Sequence, residues 1–164
     1  MSLFSSLLAK STKDIEAVCD IDITKYLGTW YEIARLPHSF EKGLENVTAN
    51  YQLREDGKIQ VINTGYKQGK RNEAQAVAWI INPKCTGRLY VSFFWLVKSE
   101  YKIIYIDREY KLAVVTSCKR NYLWILSRTP EIEKQSYIDL VNFAAVNGFD
   151  VKKLIKVAHK KIDF

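Results

Sequence analysis

The residue types best suited to catalysis or metal binding are scarce in this 164-residue sequence, which contains three cysteines and two histidines. Cys19, Cys85 and Cys118 form no C-x-x-C pair, and His38 and His159 are too few to complete a structural zinc site. Three cysteines are also too few, and too odd in number, for a disulfide framework. No Ser-His-Asp order, phosphate-binding loop or pair of carboxylates stands out. The sequence therefore predicts a protein that is not an enzyme and has no metal ion or cofactor.

A net charge of +7 and a pI of about 9.2 raise the question of an anionic partner. The densest basic stretch lies near the C-terminus and comprises Lys152, Lys153, Lys156, Lys160 and Lys161. It is interpreted as a solvated surface, and the alternative is weak attraction to anionic lipid head groups, which would make the protein a peripheral membrane protein. Nucleic acid is not expected as a partner, because neither RNP-like nor zinc-knuckle residues occur.

The length of 164 residues fits one domain with one core. Residues 1–9 are apolar, but charged residues follow at once from Lys10, so the segment lacks the long uncharged run of a secretion signal. Either the protein is made without a signal, or this segment stands in place of a native one. Residues 1–19 are accordingly assigned to an N-terminal extension and residues 20–164 to the folded domain.

Short segments with the character of strands follow each other at even spacing through the middle of the chain. Asp56-Gly57 is a hairpin signal, and Asn82-Pro83 begins another turn. Eight strands are predicted, at residues 28–36, 47–53, 59–66, 73–81, 88–94, 101–106, 110–116 and 122–127. Closure of such a meander removes its exposed edges. The predicted fold is all-β, an eight-stranded antiparallel up-and-down β-barrel.

One α-helix is expected after the last strand, packed on the outside of the barrel. Thr129 is a suitable N-cap, Pro130 fits the first helical position, and Gly148 is a suitable stop. Apolar residues recur on one face at helical spacing at Tyr137, Leu140, Val141, Ala144 and Ala145. This face has to be buried, and the outer wall of the barrel is available. A short extra strand is expected within residues 149–157.

The interior of an eight-stranded barrel is filled by its own side chains or holds one small ligand. Ala74, Ala76 and Ala78 share one face of the fourth predicted strand. If that face points inward, three small side chains leave empty volume; in the alternative, it points outward and lies under the helix. The inward orientation is favoured, and it makes Ala76 and Ala78 candidate ligand contacts.

Three separated motifs carry a resemblance to the lipocalin family. Gly28-Thr29-Trp30 resembles the family's first signature, and it continues into Tyr31-Glu32-Ile33-Ala34-Arg35. Asp107-Arg108-Glu109-Tyr110 stands where the family has its second signature, and Arg128 matches the third. The run is most similar to the bacterial outer-membrane lipocalins, in the apolipoprotein D-like branch. The resemblance spans about residues 20–157 and implies the same eight-stranded barrel.

The resemblance implies a structural role for the signature residues. In the family, the tryptophan plugs the closed end of the barrel and the arginine of the last strand lies over its ring. Trp30 and Arg128 are therefore expected to form a cation–π contact, worth about 1 kcal/mol or more when desolvated. Gly28, Asp107 and Tyr110 are assigned to the same end of the barrel, as structural residues.

Alternation along the strands and position in the family together suggest the ligand-facing residues. If Trp30 points inward, Glu32 and Ala34 do too, and Glu32 then needs a partner or a raised pKa. Arg128 sets the phase of the last strand, which places Tyr122, Trp124 and Leu126 inside. Lys98 stands at the position of a pocket tyrosine, in a loop predicted at residues 95–100. It is either an exposed lysine or a partner, at the mouth, for a fatty carboxylate or lipid phosphate.

The resemblance also implies function, location and one disulfide. The expected function is binding, storage or transport of a small hydrophobic or amphiphilic ligand, such as a fatty acid or lysophospholipid, in maintenance of bacterial envelope lipids. The alternative is a lipocalin-fold enzyme that acts on a lipid. The expected protein is a monomer or homodimer in the periplasm or outer membrane, provided that a native signal was removed. Cys19 and Cys118 resemble a pair that forms a disulfide in the apolipoprotein D-like branch.

Overall fold

A computed structural model describes residues 9–94 and 97–161 of the chain. In chain order these residues form α1 (Ile23–Tyr26), β1 (Gly28–Arg35), β2 (Glu45–Leu53), β3 (Ile59–Lys67), β4 (Lys70–Asn82), β5 (Cys85–Phe94), β6 (Val97–Ile106), β7 (Leu112–Thr116), β8 (Leu123–Ser127), α2 (Lys134–Val146) and β9 (Ile155–Lys156). Short 3-10 helices occupy Ser39–Glu41 and Val151–Lys153.

Strands β1 to β8 close into a barrel. Each strand is antiparallel to its neighbours in sequence, and β1 pairs with both β2 and β8, which leaves the eight-stranded sheet without a free edge. Two of the hairpins turn at glycines, since Gly57 and Gly69 have φ angles of +78° and +74°, in the left-handed region that favours glycine. The predicted fold class is confirmed.

Alternate side chains of the strands sort into two apolar clusters, one on each side of the barrel wall. The inner cluster includes Trp30 together with Ala76 and Ala78 of β4. The outer cluster includes Leu140 and Ala144, through which α2 packs on the wall. The alanine face of β4 therefore points inward, as favoured from the sequence, and α2 covers the opposite surface.

Strand β1 reverses the facing of its residues at a β-bulge between Glu32 and Ala34. Glu32 borders the interior, whereas Ala34 is fully buried in the outer cluster. The prediction that Ala34 faces the ligand is wrong, because strict alternation does not continue through a bulge. The extra residue turns Arg35 inward instead, so that its guanidinium reaches Glu32. Beyond the bulge β1 pairs with β9, which is the expected extra strand.

The outer helix begins later than predicted. Thr129 is not its N-cap, since its hydroxyl donates to the carbonyl of Glu131 and its amide donates to the hydroxyl of Ser127. These local bonds form a turn that includes Pro130, and α2 starts only at Lys134. The predicted stop is correct, because Gly148 follows the helix with a φ of +83°.

The part of the predicted N-terminal extension that the structure describes packs against the barrel. Thr12 is buried and its amide donates to the carbonyl of Cys118, while Ile15 joins the outer cluster. The buried ammonium of Lys102 donates to the carbonyls of both residues, at 2.9 and 3.2 Å. The guanidinium of Arg120 also binds this segment, since it donates to the carbonyl of Ser11 and to a carboxylate oxygen of Asp14. Residues 10–19 are therefore continuous with the barrel rather than separate from it, whereas residues 1–8 lie outside the described part.

The disulfide joins Cys19 to Cys85, not to Cys118 as the resemblance implied. The path of the N-terminal segment explains the correction, because Thr12, seven residues earlier, is the residue that lies beside Cys118. At Cys19 the chain has reached the β4–β5 turn, where the Thr86 amide donates to the Cys19 carbonyl. A Cβ at Gly87 would lie 2.1 Å from the carbonyl oxygen of Val18, so only glycine permits this approach.

Candidate functional site

The closed end of the barrel is held by Trp30 and Arg128. The guanidinium carbon of Arg128 lies 3.9 Å from the centroid of the Trp30 ring, as the resemblance implied. The same guanidinium donates to the carbonyls of Thr29 and Lys25 at 2.9 and 2.8 Å. The indole nitrogen of Trp30 donates to the Tyr26 carbonyl at 2.8 Å. These contacts close this end of the barrel interior.

The other signature residues shape the backbone around this seal. A carboxylate oxygen of Asp107 accepts from the amides of Lys111 and Leu112, both at 2.7 Å, and so fixes the β6–β7 turn. Tyr110 adopts a φ of +56° in that turn, and its hydroxyl accepts from the amide of Asp22. Gly28 has a φ of +95° beneath Arg128. Asp107, Tyr110 and Gly28 therefore have structural roles at the closed end of the barrel.

Above the seal, the interior holds a cavity of about 850 Å³ that opens at the opposite end of the barrel. Its wall is mostly apolar and includes Val47, Ile59, Val61, Ala78, Leu89, Val91, Val115 and Leu126. A cavity of this size and character is typical of sites for small organic ligands. Loops and strand ends at the open end form its mouth, and the free, exposed Cys118 lies there.

Most of the residues predicted to face the ligand lie in or beside this cavity. Tyr122, Trp124, Leu126 and Ala78 line it, and Ala76 belongs to the surrounding inner cluster. Ala34 does not line the cavity, because the bulge in β1 turns it to the outer face of the barrel wall. Residues Trp95 and Leu96 of the predicted loop lie outside the described residues.

Lys98 also lies away from the cavity. It belongs to strand β6 rather than to a loop, and its neighbours Val97 and Ser99 both line the cavity, so Lys98 faces the outer surface. Its ammonium lies 4.3 Å from the centroid of the Tyr90 ring. The structure therefore does not bring Lys98 to the position from which it would pair with a ligand head group inside the barrel.

Four charged or titratable side chains form a buried cluster in the cavity wall. The guanidinium of Arg35 lies 2.9 Å from a carboxylate oxygen of Glu32 and 3.5 Å from one of Glu41. Nε2 of His38 lies 2.9 Å from the same oxygen of Glu41, and the indole nitrogen of Trp124 donates to it at 3.3 Å. Arg35 is thus the partner that Glu32 required.

The pKa values of the two carboxyl groups in this cluster are shifted in opposite directions. Burial, and next the charge of Glu41, raise the pKa of Glu32 well above its usual value, and the Arg35 guanidinium does not offset them. Burial acts in the same direction on Glu41. There, the hydrogen bond and charge of His38, together with Glu32 and Arg35, outweigh burial and lower the pKa. The pair therefore keeps one proton, chiefly on Glu32, above the pH at which free glutamate ionises.

Three tyrosine hydroxyls meet deeper in the cavity. The Tyr101 hydroxyl oxygen lies 2.5 Å from that of Tyr26 and 2.8 Å from that of Tyr51. The ring of Tyr26 packs on Trp30 with 5.1 Å between centroids, so the cluster stands directly on the seal. Burial is the main cause of a raised pKa at each tyrosine, to about 12 at Tyr51, so that all three are neutral near pH 7.

Sequence reasoning missed several of these groups. Arg35, His38 and Glu41 received no functional role, and the one available signal was that Glu32 lacked a partner. Tyr51 and Tyr101 sit on inward-facing positions of β2 and β6, so alternation alone could have nominated them. Tyr26 precedes the first strand and could not be oriented in this way.

The basic residues near the C-terminus are the candidates for contact with anionic lipid, so their partners within the protein matter. Of the C-terminal lysines, Lys153 and Lys160 make ion pairs with Asp150 and Glu45, and Lys156 lies over the ring of Tyr137.

Within residues 9–94 and 97–161, no helix is long and apolar enough to cross a membrane. The same part of the chain contains no group of three or more His, Cys, Asp or Glu side chains placed to hold a metal ion.

Comparison with known proteins adds to this geometry. The model of the lipocalin-like domain family matches residues 21–159. Outer membrane lipoprotein Blc of Citrobacter freundii is 45% identical over 147 residues, which cover 88% of this chain and 83% of that protein. Apolipoprotein D of Macaca fascicularis is 36% identical over 144 residues, covering 82% of this chain and 75% of that protein.

Among solved structures, insecticyanin from the tobacco hornworm Manduca sexta superposes with a TM-score of 0.75 at 20% sequence identity. The superposition covers 90% of this chain and 86% of insecticyanin. At this identity the similarity concerns the barrel itself.

Proposed function

Because the chain belongs to the lipocalin family, we propose that it binds, stores or transports a small hydrophobic or amphiphilic ligand in the barrel. The observation that carries the proposal is the apolar cavity of about 850 Å³ between the seal at Trp30 and the open end. A buried methylene contributes about 0.8 kcal/mol, so an acyl chain with about ten buried methylenes gains about 8 kcal/mol before the cost of immobilisation. Micromolar binding requires a net gain of about 8 kcal/mol, so contacts of the head group have to offset the cost of immobilisation.

The ligand class we propose is a fatty acid, a lysophospholipid or a similar single-chain amphiphile. One acyl chain suits an interior with an apolar wall, and its polar head would stay at the mouth. Since relatives at 45% and 44% identity are outer membrane lipoproteins, we place this role in the bacterial cell envelope, in the maintenance of its lipids. Weak attraction of the basic C-terminal segment to anionic lipid would bring the protein to a membrane surface.

The test measures lipid binding with a matched pair of tryptophan variants. Native mass spectrometry of the purified protein, followed by organic extraction, would identify a co-purified lipid. Titration with a fluorescent fatty acid then compares Trp124→Ala, in the cavity wall, with Trp79→Ala, whose ring packs on Tyr90 away from the cavity. We expect Trp124→Ala to weaken binding at least fivefold and Trp79→Ala to leave it unchanged. Wild-type protein that neither retains a lipid nor binds the probe would refute the carrier function.

A lipid-modifying enzyme is the second candidate, because the wall holds two carboxyl groups with oppositely shifted pKa values. We favour the carrier, since both carboxyl groups already have partners in the wall, Arg35 for Glu32 and His38 for Glu41. Incubation of purified protein with candidate lipids, followed by mass spectrometry of the extract, separates the two. Conversion that disappears in Glu41→Gln would favour the enzyme.

A further inference from the structure

The floor of the cavity is polar, although the wall above it is apolar. The hydroxyls of Tyr26 and Tyr51 each contact the Tyr101 hydroxyl, and all three rings line the cavity. Tyr26 and Tyr51 are 3% and 6% exposed. These hydroxyls lie at the deep end, where the tip of an inserted ligand would arrive.

A count of protons shows that the cluster has one donor in excess. Each phenol carries one O–H, which gives three donors, and the two oxygen–oxygen contacts use two of them. In the part of the chain that the structure describes, these two contacts are the only ones of the three hydroxyls with hydrogen-bond geometry; Tyr26 and Tyr51 affect each other's pKa, but their hydroxyls do not meet that geometry. One O–H therefore remains whichever way the two bonds are oriented, and the outward donor can be Tyr26, Tyr51 or Tyr101. A buried donor that stays unpaired is costly, so this proton calls for an acceptor.

We infer that the floor accepts the leading end of a ligand that carries a neutral oxygen acceptor, such as a ketone, ester or hydroxyl oxygen. This inference rests on the proposed carrier function and specifies which amphiphile suits the cavity best. A plain hydrocarbon tip would bury the spare O–H without a partner. An acceptor oxygen at the tip would receive it, and the adaptable donor tolerates small differences in the position of that oxygen.

The neutrality of the acceptor follows from the surroundings. Burial raises the pKa of all three tyrosines, and the negative charge shared by the Glu32–Glu41 pair contributes to the raised pKa of Tyr51. A second negative charge at the floor would meet the same unfavourable environment. A carboxylate or phosphate head is therefore expected to remain at the mouth while a neutral oxygen enters first.

The test compares two fatty acids of equal length, the plain acid and an analogue with a ketone next to its terminal methyl group. Chain length is set to the one that the wild type binds most tightly. Their dissociation constants are measured on wild type and on Tyr26→Phe/Tyr51→Phe/Tyr101→Phe, which removes three oxygens and keeps the rings. Because replacement of only one or two of the tyrosines leaves at least one spare donor, all three must change. The preference for the ketone over the plain acid is expected to be about fivefold higher in wild type.

A second measurement needs no variant. The infrared carbonyl stretch of the bound, isotope-labelled ketone is expected at lower wavenumber in wild type than in hexane, because a hydrogen bond weakens the C=O bond. Equal preference in both proteins, or a stretch equal to that in hexane, would overturn the inference while plain fatty acid binding still supports the carrier function. Absence of binding of either acid to wild type would overturn both.

Discussion

Replacement of Glu32 by glutamine tests the internal carboxyl pair most directly. Glutamine has the shape of a protonated glutamate and cannot ionise, so Glu32→Gln mimics the neutral form that burial favours. In the unfolded chain, both Glu32 and Glu41 have lost their protons above about pH 5. In the folded barrel, the raised pKa of Glu32 keeps one proton on the pair. Wild type then binds one more proton when folded than when unfolded.

This difference in bound protons determines the sign and the slope of the pH dependence of the free energy of unfolding. The free energy of unfolding of wild type must fall as pH rises above about 5, by about 1.4 kcal/mol per pH unit from this group, until Glu32 ionises in the folded protein. The Glu41 carboxyl, whose pKa is lowered, contributes stability that is lost only as pH falls below its unfolded pKa. Glu32→Gln should therefore be close to wild type near pH 4.5 and progressively more stable than wild type above it.

Urea denaturation at pH intervals from 4.5 to 8 (about one unit apart) measures the difference in unfolding free energy. Glu73→Gln is the matched control, because the hydrogen bond from Gln75 lowers the pKa of this exposed carboxyl, so that above pH 5 its curve should run parallel to wild type. If Glu32→Gln also runs parallel to wild type, both carboxylates are ionised in the folded barrel. The assignment of the retained proton to Glu32 would then be refuted.

Three further results are expected. Arg128→Met should lower the free energy of unfolding by about 3 kcal/mol, since it removes the cation–π contact and unpairs the part-buried carbonyls of Tyr26 and Tyr110. Exposed Arg108→Met should cost under about 0.5 kcal/mol in the same denaturation assay. Thiol labelling of native, oxidised protein followed by peptide mapping should modify Cys118 alone, and Cys19→Ser should expose Cys85 and cost about 4 kcal/mol for a closed segment of 66 residues; labelling of Cys85 in wild type would contradict this. Ala78→Phe should fill part of the cavity and weaken fatty acid binding at least tenfold, with retained near-ultraviolet circular dichroism as the check on folding; undiminished affinity would mean that the ligand binds elsewhere.

Local patterns were sufficient for the barrel, whereas its seal was expected from the resemblance to the lipocalin family. Strand alternation and turn residues depend on neighbours in sequence, so the eight strands were located, with ends that differ by a few residues. The signature residues that the resemblance identified bond largely to backbone carbonyls, as in the contacts of Arg128 with Thr29 and Lys25. Thr129 failed as an N-cap because its hydroxyl is used in a local turn, where it donates to the carbonyl of Glu131, a contact with no pattern of its own in the sequence.

The errors at the site arise from contacts between segments distant in sequence. The bulge at Ala34 depends on how β1 meets β8 and β9, and it determines that Arg35 faces Glu32. The partner of Cys19 depends on which turn the N-terminal segment crosses. Lys98 was assigned by its position in the family, but β6 begins at Val97, and alternation then turns Lys98 outward.

The hydrogen bonds at the two ends of the barrel differ in the kinds of groups that they join. At the seal, side chains bond to main-chain carbonyls, so loss of Arg128 leaves unpaired groups that no substitution elsewhere removes. In the cavity, bonds join side chains to side chains, as between Arg35 and Glu32 or among the three tyrosines. Apolar residues of similar volume often replace such buried polar sets without loss of stability. Stability alone therefore does not account for a polar floor beneath an apolar wall, whereas recognition of a ligand with an oxygen at its tip does.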